Sequence, residues 1–149
     1  MTKTTFELDK YLPYLVNRLG VKLVETFSVE CARHGIDIRM WRVLAALNHQ
    51  DDQLISALAA MTSIDISTLS RLLTQMQRRH LIERRRDGAD QRAVSIHRSA
   101  AARRITVALL PVAQKLERRA LGKISTRDAV RLKQLLIEAY GNLSHPASS

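Results

Sequence analysis

The chain has 149 residues, 46% of them hydrophobic and 26% charged, which suits one domain-sized folded unit and excludes a disordered chain. Lys and Arg exceed Asp and Glu by 24 − 14 = +10, which predicts a polyanionic partner: nucleic acid first, an acidic membrane surface second. A single cysteine, Cys31, excludes an internal disulfide framework and a Cys-rich zinc site. No apolar run approaches the roughly 18 residues of a membrane span, and MTKTTFELDK lacks the apolar core of a signal peptide. A reducing cytoplasm is the expected location.

Helical periodicity dominates. Leu12, Leu15, Val16, Leu19, Leu23 and Phe27 predict a long first helix over 12–33, with Pro13 tolerated in its first turn and Gly35 as its stop. Asp37 caps a second helix, 38–48, with Met40, Val43, Leu44 and Leu47 buried. Ile55, Leu58 and Ala59 mark a third. Asp65 caps a fourth, 66–79, with Ile66, Leu69, Leu72, Leu73 and Met76 as its inner face. Residues 81–85 and 93–97 alternate as two short strands around the turn Asp87-Gly88-Ala89-Asp90. Ser99 caps a fifth helix, 100–121, which Pro111 should kink. Ser125 and Asp128 form a capping box for a sixth, 126–142, before a frayed tail.

The charge is concentrated. Residues 78–104 hold nine arginines (78, 79, 84, 85, 86, 92, 98, 103 and 104) against Glu83, Asp87 and Asp90, a net +6. Arginine's planar fork pairs with phosphates and base edges. Helix, turn, helix, basic hairpin is the order of a winged helix-turn-helix, whose fourth helix lies in the major groove. That helix offers Ser67, Thr68, Ser70, Arg71, Thr74 and Gln75 to solvent. Its hydroxyls suit phosphates or base edges near a helix N-terminus. Arg71 and Gln75 suit guanine and adenine edges. The hairpin tip brings Arg86 or Arg92 towards the adjacent minor groove, with Arg84 at its base.

Three stretches carry a resemblance: Ile64-Asp65-Ile66-Ser67-Thr68-Leu69-Ser70-Arg71-Leu72, then Leu81-Ile82-Glu83-Arg84, then Asp90-Gln91-Arg92-Ala93. With Trp41-Arg42-Val43-Leu44-Ala45-Ala46-Leu47 upstream, the sequence resembles the MarR/SlyA family of bacterial transcriptional regulators over nearly its whole length. The resemblance implies a mainly α, six-helix winged helix-turn-helix with a small β-hairpin. Residues 37–99 would be the DNA-binding domain. Residues 1–36 and 100–149 would supply the helices of a homodimer gripping a pseudo-palindromic operator. Arg92 would enter the minor groove and Asp90 would orient the wing. Two positions depart from the family pattern: His80 replaces the glycine that ends the recognition helix, and Ser99-Ala100-Ala101-Ala102 replaces Leu-Thr-x-x-Gly. Surplus apolar positions on the first, fifth and sixth helices independently favour a dimer.

The family commonly senses small aromatic molecules or their thioesters. The residues expected to line such an effector site are Tyr11, Tyr14, Arg18, His34, Arg39 and Trp41, with Tyr11, Arg18, Arg39 and Trp41 as the main set. An alternative sensor is Cys31, whose thiol Arg33 and His34 could activate. A second alternative is a non-specific architectural nucleic-acid binder. The five histidines (34, 49, 80, 97 and 145) lack a metal-ligand pair, and no nucleophile motif, phosphate loop or acid pair stands out. Neither a metal, a cofactor nor an enzymatic activity is therefore expected.

Overall fold

In the computed structural model, which describes residues 6–86 and 93–144, four helices start at side-chain caps. Asp37 accepts from the amides of Arg39 and Met40, both at 2.9 Å, and starts α2 (Ile38–His49). Asp65 accepts from the Thr68 amide at 2.9 Å and starts α4 (Ile66–Arg78). Ser99 accepts from the Ala102 amide at 3.1 Å and starts α5 (Ala100–Leu121). Ser125 accepts from the Asp128 amide at 3.1 Å and donates to its carboxylate at 2.8 Å, starting α6 (Thr126–Ser144). Each cap satisfies amides that the helix itself leaves unpaired. The remaining helices are α1 (Leu12–Arg33), preceded by a 3-10 turn at Leu8–Lys10, and α3 (Ile55–Thr62).

Two helices end alike. At the end of α1 the Ile36 amide donates to the Cys31 carbonyl at 3.1 Å, and the Gly35 amide to Ala32 at 2.9 Å. At the end of α4 the Leu81 amide donates to Met76 at 2.9 Å, and the His80 amide to Gln77 at 3.0 Å. Both are Schellman turns, whose reversal demands a left-handed residue. Gly35 takes it at φ 71° without steric cost; His80 takes it at φ 55° with a β-carbon in place. The departure at His80 is thus a backbone conformation that glycine would adopt more easily.

The sheet has three antiparallel strands in the order β1-β3-β2. Strands β2 (Ile82–Arg86) and β3 (Val94–Arg98) form the hairpin, each shifted by one residue from its expected span. The third strand, β1 (Gln53–Leu54), is additional, and pairs Gln53 with Ile96 and Leu54 with Ser95. Asp87, Gly88, Ala89, Asp90, Gln91 and Arg92 lie outside the described residues.

The core is built from Phe27 and Cys31 of α1, Met40, Val43, Leu44 and Leu47 of α2, Leu58 of α3, Leu69, Leu72, Leu73 and Met76 of α4, and Ile82 and Ile96 of the hairpin. Ile66, expected inside, is 55% exposed. It is the first residue of α4, so no earlier turn of that helix covers it. The expected kink at Pro111 is accompanied by no break: α5 runs continuously through it. The carbonyl that Pro111 cannot bond belongs to Val107, on the exposed side of the helix.

The chain divides into two compact units, Met1–Ala113 and Gln114–Ser149, the boundary falling within α5. In the first, α1 exposes Leu12, Leu15, Val16, Leu19, Val21 and Val29. In the second, α6 buries none of its side chains and exposes Val130, Leu132, Leu135, Leu136, Ile137, Tyr140 and Leu143. Among the described residues, no helix is long and apolar enough to cross a membrane.

Candidate nucleic-acid interface

Helix α4 has its apolar stripe locked into the core by Leu69, Leu72, Leu73 and Met76, which fixes what it shows outside. Ser67, Arg71 and Gln75, four residues apart, are exposed; Thr68, Ser70 and Thr74 are half-buried at the edges of that face. Ser67 is not an idle hydroxyl. It donates to the Asp65 carboxylate at 2.7 Å. Hydrogen bonds from the Thr68 side chain and amide, then from Ser67, hold the Asp65 carboxyl well below the usual carboxylate range. The start of α4 is therefore a preset array of hydroxyls around one charged cap.

The register of the hairpin decides where its arginines go. Arg84 lies opposite Ile96 and Arg86 opposite Val94, on the face that buries Ile82 and Ile96. Arg84 accordingly reaches α4, its Nη2 donating to Thr74 Oγ1 at 3.2 Å and approaching the Ser70 carbonyl at 3.5 Å. Arg84 thus braces the hairpin against the helix while its neighbour Arg86 stays exposed. Arg84 and Arg86 also line a cavity of about 620 Å³ with Leu54, Ile55, Val94 and Ile96. On the opposite face, Arg85 pairs with Glu83 at 2.9 Å.

The basic cluster is thus less free than its sequence suggests. Arg98 donates to Asn48 at 2.8 Å, Arg103 pairs with Asp51 at 3.4 Å, and Arg79 donates to the Gly35 carbonyl. His97, whose side chain is 14% exposed, contacts Asp52 at 2.9 Å and Ser95 at 3.0 Å, tying β3 to the turn after α2. Sequence reasoning missed these structural roles because Asn48, Asp51, Gly35 and Asp52 are each distant in the chain from the residue they hold. Asp90 and Arg92, expected at the wing tip, fall outside the described residues.

The expected effector residues are spread along α1 and α2. Tyr11 stacks edgewise on Phe6 at 5.1 Å. Arg18 lies over the Tyr14 ring at 5.5 Å and lines a shallow cavity of about 470 Å³ with Leu15, Leu19 and Val21. Tyr11, Arg39 and Trp41 do not line that cavity. Arg39 pairs with Asp37 at 3.2 Å, and Trp41 packs on Phe27 at 5.2 Å. His34 caps the end of α1 and is exposed. The activated-thiol alternative is corrected: Cys31 is fully buried, and burial, aided by Asp37, pushes its thiol up to about 11. Among the described residues no group of three or more His, Cys, Asp or Glu gathers as for a metal ion.

Comparison with known proteins agrees with this architecture. Residues 34–93 match the model of the MarR family. No curated protein matches the chain. Among solved structures it is similar to a MarR family transcriptional regulator from Silicibacter pomeroyi, with TM-score 0.83, 26% identity and 96% of each chain covered. It is also similar to BpsR from Bordetella bronchiseptica, a protein whose DNA binding is regulated by 6-hydroxynicotinic acid; there the TM-score is 0.77 at 21% identity, over 87% of this chain and 98% of that one. A mutant MarR from E. coli complexed with operator DNA aligns with TM-score 0.77 at 19% identity, over 86% of this chain and 92% of that one. At such identities the last two establish the fold alone. The family match runs over the helix-turn-helix α3–α4 and the first strand of the basic hairpin, and the whole fold is similar to that of a MarR family transcriptional regulator, so this chain is similar to the MarR family.

Proposed function

We propose that the chain is a homodimeric, sequence-specific double-stranded-DNA-binding repressor, released from a pseudo-palindromic operator by a small aromatic ligand. The observation that carries this reading is the exposed stripe Ser67, Arg71 and Gln75 on a helix whose other face is locked in the core. Arg71 is assigned to a guanine edge and Gln75 to an adenine edge. Because the Ser67 proton is committed to Asp65, its hydroxyl meets DNA as an acceptor, suited to adenine N6 or cytosine N4 amino groups. Thr68 and Ser70 border the same face. Arg84 supports the wing, and Arg86 contacts phosphate. Arg92 in the minor groove and Asp90 as its orienting partner rest on the family resemblance. That a mutant MarR from E. coli with a similar fold is complexed with operator DNA supports DNA as the partner.

Homodimerisation follows from the apolar side chains that α1 and α6 leave exposed, too many for a monomer's surface. Residues 1–36 and 100–149 are the dimerising parts and 37–99 the DNA-binding part. The effector site is assigned to Tyr11, Arg18, Arg39 and Trp41 along α1 and α2; of these Arg18 alone lines the shallow cavity on α1, so the assignment rests on the family resemblance. An aromatic acid fits that chemistry, as does the regulation of BpsR by 6-hydroxynicotinic acid. The effector would act by favouring a dimer whose two α4 helices are wrongly spaced for half-sites about one helical turn apart. The protein works in the cytoplasm, without a cofactor, as a binder and not an enzyme.

The test is fluorescence anisotropy on an operator duplex and a scrambled duplex of equal length. A dimer neutralising about eight phosphates gives a log–log salt slope near −7 on the operator. Arg71→Ala should lose about tenfold or more of the preference for the operator. Equal affinity of the unaltered protein for both duplexes would replace this reading with the architectural one.

A further inference from the structure

The two Schellman turns described above meet through one side chain. Arg79, the residue that caps the end of α4, donates from Nη2 to the carbonyl of Gly35, the left-handed residue that ends α1. Its Nη1 donates to the sulfur of Met40 in α2 at 3.2 Å. These partners lie 44 and 39 residues away in the chain. Gly35 takes the left-handed conformation of the turn, and a β-carbon there would make only ordinary contact with the guanidinium, at 3.7 Å. Met40 is buried, so the fork is anchored to the core as well as to the turn.

We propose that Arg79 is a positioning residue for DNA recognition, latching the C-terminal end of α4 to the α1–α2 turn. The proposal rests on the DNA-binding reading above. The N-terminal end of α4 is pinned by Asp65, and its middle by the buried leucines. Without a third anchor the end of the helix can shift against the turn, and the exposed stripe Ser67–Arg71–Gln75 shifts with it. Arg79 supplies that anchor using the two-pronged geometry only arginine has; lysine offers one ammonium and cannot span both acceptors with a planar fork. On the hairpin, Arg84 reaches α4, Arg85 pairs with Glu83 and Arg98 donates to Asn48, whereas Arg79 reaches the end of α1. It therefore links the helix assigned to the dimer with the helix assigned to the groove.

The latch and a phosphate contact make opposite predictions. The experiment measures the affinity of full-length wild type, Arg79→Lys and Arg79→Met for an operator duplex and a scrambled duplex at three salt concentrations. The latch predicts that both variants lose roughly tenfold in operator affinity, keep their affinity for the scrambled duplex, and keep the wild-type salt slope. A DNA-free readout accompanies it: amide exchange at residues 34–37 and 79–81 speeds up in Arg79→Met, while that of Val43 and Leu73 does not change. Lysine matching wild type, with methionine weakening both duplexes equally and flattening the slope by about one, would make Arg79 a phosphate ligand and overturn the proposal. Unchanged exchange at residues 34–37 would overturn it as well, whatever the DNA result. No operator preference in the wild type would instead refute the DNA-binding reading, and the exchange result alone would then decide whether the latch exists.

Discussion

His80 is, with Asp52 and Ser63, one of the described non-glycine residues at positive φ, and replacing it gives a sharp test of the α4 turn. It holds φ 55° at the reversal of a Schellman turn, where its β-carbon crowds the neighbouring carbonyl. A non-glycine residue in this region costs about 1–2 kcal/mol. His80→Gly removes that cost but gives the unfolded chain extra freedom worth about 0.4–1 kcal/mol. The expected net gain is about 0.5–1 kcal/mol, or about 2 °C in melting temperature for a chain of this size. His80→Ala keeps the β-carbon and is the control. Melting should be followed by circular dichroism on wild type, His80→Gly and His80→Ala at one protein concentration, since a dimer's melting point depends on it. The glycine variant should melt highest, with alanine near wild type. An alanine variant gaining as much as glycine, or a glycine variant melting lower, would refute the backbone argument and point to the imidazole itself.

Asp65→Ala should lower the melting temperature at pH 7, because the amide of Thr68 loses its cap. The Asp65 carboxyl titrates below its ordinary value, so its contribution is present above the unfolded pKa near about 3.9 and is lost as pH falls through the lower folded value; the gap between wild type and Asp65→Ala should therefore close in strong acid, and a gap independent of pH would contradict the assignment. Cys31 in the native protein should react with iodoacetamide far more slowly than a free thiol at pH 7.5, and at the normal rate once unfolded, because its thiol titrates at about 11; fast native labelling would restore the redox alternative. Leu135→Glu, in the exposed apolar face of α6, should convert a dimer into a monomer in sedimentation velocity; a dimer of unchanged stability would remove α6 from the interface.

What the sequence makes legible is local. Asp37, Asp65, Ser99 and Ser125 announce their helices because a cap acts within three residues. The stripe Ser67–Arg71–Gln75 is legible because helical spacing alone separates it from Leu69, Leu72 and Met76. Position within an element is harder: periodicity puts Ile66 inside, but as the first residue of α4 it has no preceding turn above it. Non-local partners are hidden altogether. Strand β1 exists because Gln53 pairs with Ile96, 43 residues on, and two residues carry no strand pattern of their own. The nine arginines read as one charged surface, yet Arg79, Arg98 and Arg103 are each drawn to acceptors tens of residues earlier. Charge counts the cations; only the fold says which of them remain available for phosphate. The expected effector residues illustrate the same limit, since spacing along α1 and α2 does not determine which side chains converge.

The central claim, recognition of a particular DNA sequence by a two-fold dimer, is tested most directly by selecting sheared genomic DNA from the source organism with the purified protein at near-physiological salt and sequencing what is retained. The account predicts a few intergenic fragments sharing an inverted repeat, with half-sites centred about one helical turn apart. A featureless spread of fragments, with affinity set by length and salt alone, would contradict it.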